Sequence, residues 1–219
     1  MLIIKYEIMK KSFLFLLFLG FVFNINAQEL QTIKLVEPSV KGGSTIMEAL
    51  SNRKSVRGFS DKKLSDQDLA DVVWAAGGIN RKEAGLRTAP SWRNFQDVDI
   101  YVCLKEGVYL YNAKAHVLEP VMKGDFYPLI VSGQDFVNDA PVVLLLVSDF
   151  DKIKGDGSSP VYISGLNAGI ISQNISLFCA GKNMATVPRG FMDKEGLKKA
   201  INLKENQHIL LNHPVGYLK

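Results

Sequence analysis

The stretch Pro141-Val142-Val143-Leu144-Leu145-Leu146-Val147-Ser148 constrains this chain more than any other. An aliphatic, β-branched run with no charge in it and no polar alternation reads as a strand buried on both faces. Such a strand belongs at the centre of a sheet.

Other segments supply elements around that centre. Val98–Leu104 and Gly107–Tyr111 are β-branched and aromatic, and Lys105-Glu106 between them predicts a hairpin. His208–Tyr217 reads as a closing strand. A first helix opens at Ser44 or Thr45, both good capping residues, carries Ile46, Met47, Ala49 and Leu50, and stops before Gly58. Ser65-Asp66-Gln67-Asp68 resembles a capping box with aspartate where glutamate is usual; Leu69, Val72, Val73 and Ala76 follow at helical spacing, and Gly77-Gly78 closes the helix. From Val161 to Ala180 an apolar pattern outlines a long helix, with Gly165 and Gly169 permitting close approach; it suits a domain centre or a subunit interface. Asp193–Ile201 reads as a short helix, Lys123–Asn138 as ambiguous and helical in part, and Arg81–Asn94 as an ordered loop able to carry a site. No repeat or linker divides residues 44–219. The expectation is one α+β domain with a central mixed or antiparallel sheet flanked by helices, preceded by an extended arm over residues 28–43.

Residues 1–27 read as an export signal. Lys10 and Lys11 precede the apolar run Phe13–Phe23, and Ala27 offers a small residue for cleavage. The run is short of the roughly 20 residues that span a bilayer, which disfavours a membrane anchor. An exported, periplasmic protein is expected. Of 26 basic and 22 acidic side chains, three and one lie in this segment, so the rest carries a net +2 and no electrostatic footprint for nucleic acid. Cys103 and Cys179 sit in apolar surroundings and read as two buried thiols, although export also permits a disulfide. His116, His208 and His213 show no metal-ligand spacing.

Three short segments could carry chemistry. Arg53-Lys54-Ser55-Val56-Arg57 gathers three cations and a hydroxyl at a helix end, a density that suits a phosphate as well as a solvated face. Pro90-Ser91-Trp92-Arg93-Asn94 offers a turn followed by an amide, suited to a polyhydroxylated ligand or to an ordinary turn. Pro188-Arg189-Gly190 has a glycine that lets main-chain N–H groups approach a flat ligand.

In their order these segments resemble the nitroreductase family, the FMN-dependent α+β oxidoreductases. Within it they resemble the branch related to oxidases that aromatise azolines in peptide natural products. The resemblance runs from Thr45 to Lys219 on Asn52–Phe59, Leu69–Asn80, Arg87–Ser91 with Asn94 and Gln96, Gly169–Leu177, Pro188–Phe191 and Pro214–Tyr217. It implies that Arg53, Ser55 and Arg57 grip the FMN phosphate and the pyrimidine side of the ring, with Lys54 at an often basic position. It implies that Asn94, presented by Pro90 and Ser91, reaches the ribityl chain or ring. Pro188, Arg189 and Gly190 would lie along the isoalloxazine, a main-chain N–H facing N5. Relatives finish with a basic stretch, for which Lys219 is the substitute here, and Trp92 and Arg93 stand where small residues are frequent. The resemblance further implies a homodimer with flavin at the subunit boundary and ping-pong hydride transfer between NAD(P)H or another reductant and a small organic acceptor. No side-chain acid, base or metal is called for. A flavin-handling protein of the cell envelope that turns nothing over is the second reading.

Overall fold

The apolar strand has a protein layer on each side. A computed structural model describes residues 29–155, 157 and 159–219; the export signal expected over residues 1–27 lies outside them. The chain runs β1 (Ile33–Lys34), α1 (Ile46–Asn52), α2 (Asp66–Gly77), β2 (Ile79–Arg81), β3 (Leu86–Arg87), β4 (Val98–Leu104), β5 (Gly107–Asn112), β6 (Val117–Lys123), α3 (Tyr127–Val131), β7 (Val142–Asp149), α4 (Pro160–Gly181), β8 (Met184–Thr186), α5 (Lys194–Ala200) and β9 (Gln207–Tyr217). A seven-stranded sheet has the order β1-β6-β5-β4-β7-β9-β8, and every neighbouring pair is antiparallel. The sheet is therefore not mixed. β2 and β3 form a separate ribbon that overlaps the start of the Arg81–Asn94 segment expected to be loop.

β7 lies between β4 and β9, and its alternate residues enter two cores. Leu144 and Leu146 pack with Val72, Val73 and Ala76 of α2 and Ala168, Ile171 and Ile175 of α4. Val143, Leu145 and Val147 pack with Tyr127, Ile130 and Val131 of α3 and Leu197 of α5. Two helical layers over one sheet make polar alternation impossible in the central strand, and truncating either leucine to alanine should cost about 2–5 kcal/mol.

Helix α1 begins at Thr45, whose hydroxyl accepts from Glu48 N–H while the Glu48 carboxylate accepts from Thr45 N–H. Helix α2 begins at Ser65, and the aspartate in its capping position has a distinct task. Asp68 accepts from Tyr217 Oη at 2.6 Å and pairs with Lys182 at 3.0 Å, tying α2 to the end of β9 and the residue after α4. The arm is seated by β1 pairing with β6, by His116 Nε2 on the Val36 carbonyl at 2.8 Å, and by Ser39 N–H on Asp71 at 2.7 Å. Leu30 covers Gly107 so closely that any Cβ there would collide with it. Both cysteines are buried, free thiols.

Helix α4 buries Ile163, Ile171, Ile175 and Cys179 and leaves Val161, Tyr162, Leu166 and Ile170 exposed. A Cβ added at Gly165 or Gly169 would meet nothing within 4 Å. The close approach these glycines permit is made by no element of the described chain.

Candidate active site

The edge strand β8 brings two distant segments together. Beyond α1 the chain stays extended: Val56 N–H donates to the Thr186 carbonyl at 2.9 Å, Phe59 bridges Leu218, and Ser60 N–H donates to the Tyr217 carbonyl. Residues 53–60 are thereby laid along β8 and the end of β9. On leaving β8 the chain forms a bridge in which Arg189 N–H donates to the Asn212 carbonyl and Asn212 N–H to the Arg189 carbonyl, at 2.8 and 2.7 Å. Arg57, Pro188, Arg189 and Gly190 therefore line one cavity of about 530 Å³, together with Gln134, Phe136 and Phe191.

Arg53, Lys54, Ser55 and Arg57 are exposed, and among the described residues no carboxylate pairs with them and no hydrogen bond holds their side chains. The Arg57 guanidinium lies over the Phe136 ring, 6.0 Å from its centroid. Lys54 lines a separate cavity of about 290 Å³ with Asn52, Asn183 and Thr186. Lys219 stands beside Gly58, its Cβ 3.7 Å from where a Gly58 Cβ would lie.

The Arg189 side chain has another occupation. It is buried and donates to Gln134 Oε1, Asn212 Oδ1 and the carbonyls of Ile130 and Val131 at the end of α3. Those carbonyls are ones a helix leaves without internal partners, so Arg189 caps α3 and fixes the 131–136 rim of the cavity. With its main-chain N–H also bound, Arg189 forms wall and support. Gly190 is exposed, and among the described residues its N–H donates to nothing.

Behind β8 lies a polar chain of buried groups. His213 of β9 meets Ser172 Oγ of α4 at 2.8 Å and Thr186 Oγ1 at 3.3 Å. Burial pushes its pKa down to about 3, so it is neutral at ordinary pH.

Pro90, Ser91 and Asn94 line none of these cavities. They lie in the turn before β4, which α4 holds through Asn167. A larger cavity, about 850 Å³ between Phe59, Leu64, Leu104 and Pro141, contains Lys219 but no other residue of the expected site. Four acids, Asp61, Asp66, Glu106 and Asp139, line it beside its lysines, whereas the smaller cavity has one acid, the exposed Asp135, an Arg57 guanidinium that no carboxylate pairs with among the described residues, and a free N–H. Convergent polar groups, more than volume, mark a site. Sequence reasoning missed Gln134 and Phe136, which fall in the segment without clear periodicity.

A model of the nitroreductase family matches residues 50–217. The chain belongs to the nitroreductase family. A protein of Methanocaldococcus jannaschii assigned as a nitroreductase is 27% identical over 212 residues, covering 90% of this chain and 98% of its own. The crystal structure of a nitroreductase-type protein from Ralstonia eutropha JMP134 superposes with a TM-score of 0.81 at 32% identity, over 87% of this chain and 90% of that one. The trifolitoxin operon protein TfxC of Rhizobium leguminosarum is 26% identical over 114 residues, 42% of this chain and 32% of its own length. Membership makes the protein a flavin oxidoreductase in general terms.

Proposed function

We propose that this nitroreductase-family protein is an exported, homodimeric oxidoreductase that uses FMN and passes electrons in ping-pong order from a reduced donor to an organic acceptor. One observation carries the reading: four uncommitted side chains, Arg53, Lys54, Ser55 and Arg57, occupy one exposed segment that runs into a cavity where Gly190 presents a free N–H. The residues fit the cofactor by the chemistry of their donors. Two guanidinium forks, an ammonium and a hydroxyl match a phosphate dianion, and the Phe136 face beside Arg57 suits a flat aromatic ring.

FMN, when bound, supplies two-electron hydride chemistry at its N5. The protein's own groups bind and orient: Arg53, Ser55 and Lys219 hold the phosphate end, Arg57 sets positive charge against the electron-rich ring, and Gly190 N–H donates at the cavity wall. Pro90, Ser91 and Asn94 come from the second copy, which packs on the open face of α4. Supporting the dimer are the exposed Val161, Tyr162 and Leu166 beside two glycines with open space over them.

The apolar run Phe13–Phe23 followed by Ala27 supports export. Reduced nicotinamides are scarce outside the cytoplasm, so either NAD(P)H is replaced by another reductant or the net reaction oxidises an organic substrate. The resemblance of the sequence motifs to the peptide azoline oxidases favours the second.

The test is a fluorescence titration of purified apoprotein with FMN and with riboflavin. Wild type should bind FMN more tightly than riboflavin, and Arg57→Ala and Arg53→Ala should each weaken FMN binding about 10-fold or more, as loss of a charge-assisted hydrogen bond does. Riboflavin affinity should change little in Arg53→Ala. Equal FMN binding by both variants and wild type would overturn the proposal. Steady-state rates with and without NAD(P)H then identify the donor.

A further inference from the structure

Three residues of the turn before β4 are non-glycine residues in the left-handed region: Arg93 (φ 48°), Asn94 (φ 57°) and Gln96 (φ 47°). Such conformations persist only where the surroundings over-determine them. Inside the turn, Asn94 N–H donates to the Ser91 carbonyl, Gln96 N–H to Ser91 Oγ, and Phe95 N–H to the Trp92 carbonyl. Its backbone is fastened to α4, where Trp92 N–H donates to Asn167 Oδ1 at 2.9 Å, and its Gln96 side chain donates to the Gly85 carbonyl at 3.1 Å.

Asn167 is fixed from behind. Its Nδ2 donates to Asp97 Oδ1 at 2.6 Å, and Asp97 Oδ2 accepts from Ser148 Oγ of β7 at 2.6 Å. Asp97 and Ser148 have no exposed surface and Asn167 has 2%. Because the Asp97 carboxylate accepts on this side, the Asn167 amide must turn its NH₂ toward it, and its carbonyl is thereby aimed at Trp92 N–H. Asp97 is buried without a cationic partner among the described residues, a costly placement that the hydrogen bonds offset.

The turn in its turn orients Asn94. Gln96 Nε2 donates to Asn94 Oδ1 at 3.0 Å, so the Asn94 carbonyl is occupied and its NH₂ faces outward. With one lone pair of its carbonyl taken, the amide's free NH₂ is the end that meets a ligand, at an acceptor such as a carbonyl or hydroxyl oxygen.

We infer that Asn167, oriented by Asp97, is a positioning residue that holds the Trp92–Gln96 turn so that Asn94 presents two N–H donors to an acceptor oxygen of the bound flavin. The inference rests on the flavin reading above, and on the hydrogen-bond relay from β7 through α4 to the turn. It concerns the ribityl or ring end of the ligand, away from the phosphate groups.

The experiment uses Asn167→Asp, which sets two acceptors face to face at the Asp97 contact, and the swap Asp97→Asn with Asn167→Asp, which restores every donor–acceptor pair. Hydrogen exchange of the Trp92 amide and dissociation constants for FMN and riboflavin are measured in each. Asn167→Asp should speed exchange at Trp92 about 10-fold or more and weaken both ligands by a similar factor, leaving their affinity ratio as in wild type because the arginines are untouched. The swap should return all three values to within about 2-fold of wild type. If Asn167→Asp does not fold, Asn167→Ala, which removes both hydrogen bonds without opposing two acceptors, is read the same way. Unchanged exchange at Trp92, or faster exchange with unchanged flavin affinity, overturns the inference. Wild-type protein that binds no flavin defeats the functional reading and the ligand part of the inference together, while the exchange data still decide whether Asn167 holds the turn.

Discussion

Mild acidification should destabilise this protein through one buried imidazole. His213 is fully buried between β9, β8 and α4, and burial pushes its pKa from the ordinary 6.5 down to about 3. In the unfolded chain the same residue titrates near 6.5. Below that pH the unfolded state takes up a proton that the folded state refuses, so stability is lost as pH falls from about 6.5 toward 3. At pH 5 the chain is about 1.5 pH units into that window, which at ~1.4 kcal/mol per unit is a loss of about 2 kcal/mol relative to pH 7.5. His208, whose pKa is lowered by partial burial and by Lys198, adds a loss of the same sign. Asp68 acts later: despite its desolvation, hydrogen bonds from Tyr217 and Ser65 and the Lys182 charge hold it below the usual carboxylate range, so its contribution is present above that range and vanishes only at lower pH. The assay is urea denaturation at pH 7.5, 6.5, 5.5 and 5.0 on wild type and His213→Gln. The variant starts less stable, but its loss between pH 7.5 and 5 should be smaller by about 2 kcal/mol, since His208 is common to both. Parallel pH curves for the two proteins would refute the assignment.

Arg189→Met should destabilise the fold by about 3 kcal/mol or more in urea, because buried acceptors on Gln134, Asn212, Ile130 and Val131 lose their donor. Any flavin still bound should keep its preference for FMN over riboflavin. Leu166→Arg, at an exposed site on α4, should leave the monomer's thermal midpoint within a few degrees while sedimentation shifts from dimer to monomer and flavin is lost; an intact dimer would remove α4 from the interface.

Much of the architecture was legible because it depends on local chemistry. The Val142–Val147 run, the caps at Thr45 and Ser65, and the Gly77-Gly78 stop each state a local requirement, and each element stands where those residues put it. Other strands were not legible, β6 and the β2–β3 ribbon among them. β6 carries Glu119 and Pro120 and gains its strand pairing on one flank only along most of its length, so its composition never had to suit a central strand. The β2–β3 ribbon pairs through Ile79–Arg87 and Arg81–Leu86 across a register shift, a match visible only once the chain has turned at Gly85. The sheet direction was open for a related reason: burial on both faces is common in parallel sheets, but helices on both sides impose the same composition on antiparallel strands.

The site was legible in part, and the division has a physical basis. Charges at a helix end and a glycine after proline are visible in sequence because they break the pattern of their surroundings. What they become depends on neighbours far along the chain. Arg57 and Arg189 look alike as letters, yet one is held on an exposed segment against Phe136 and the other is consumed by four acceptors. Asn94 and Asn167 differ in the same way, and only because Gln96 occupies one carbonyl and Asp97 the other NH₂ can their free ends be named. In each pair the partner that satisfies one end of a side chain decides what the other end can bind. That decision is made by packing away from the free end, so a substitution at Asn212, which does not line the cavity, reaches its wall through Arg189, and one at Asp97 reaches the turn that bears Asn94 through Asn167.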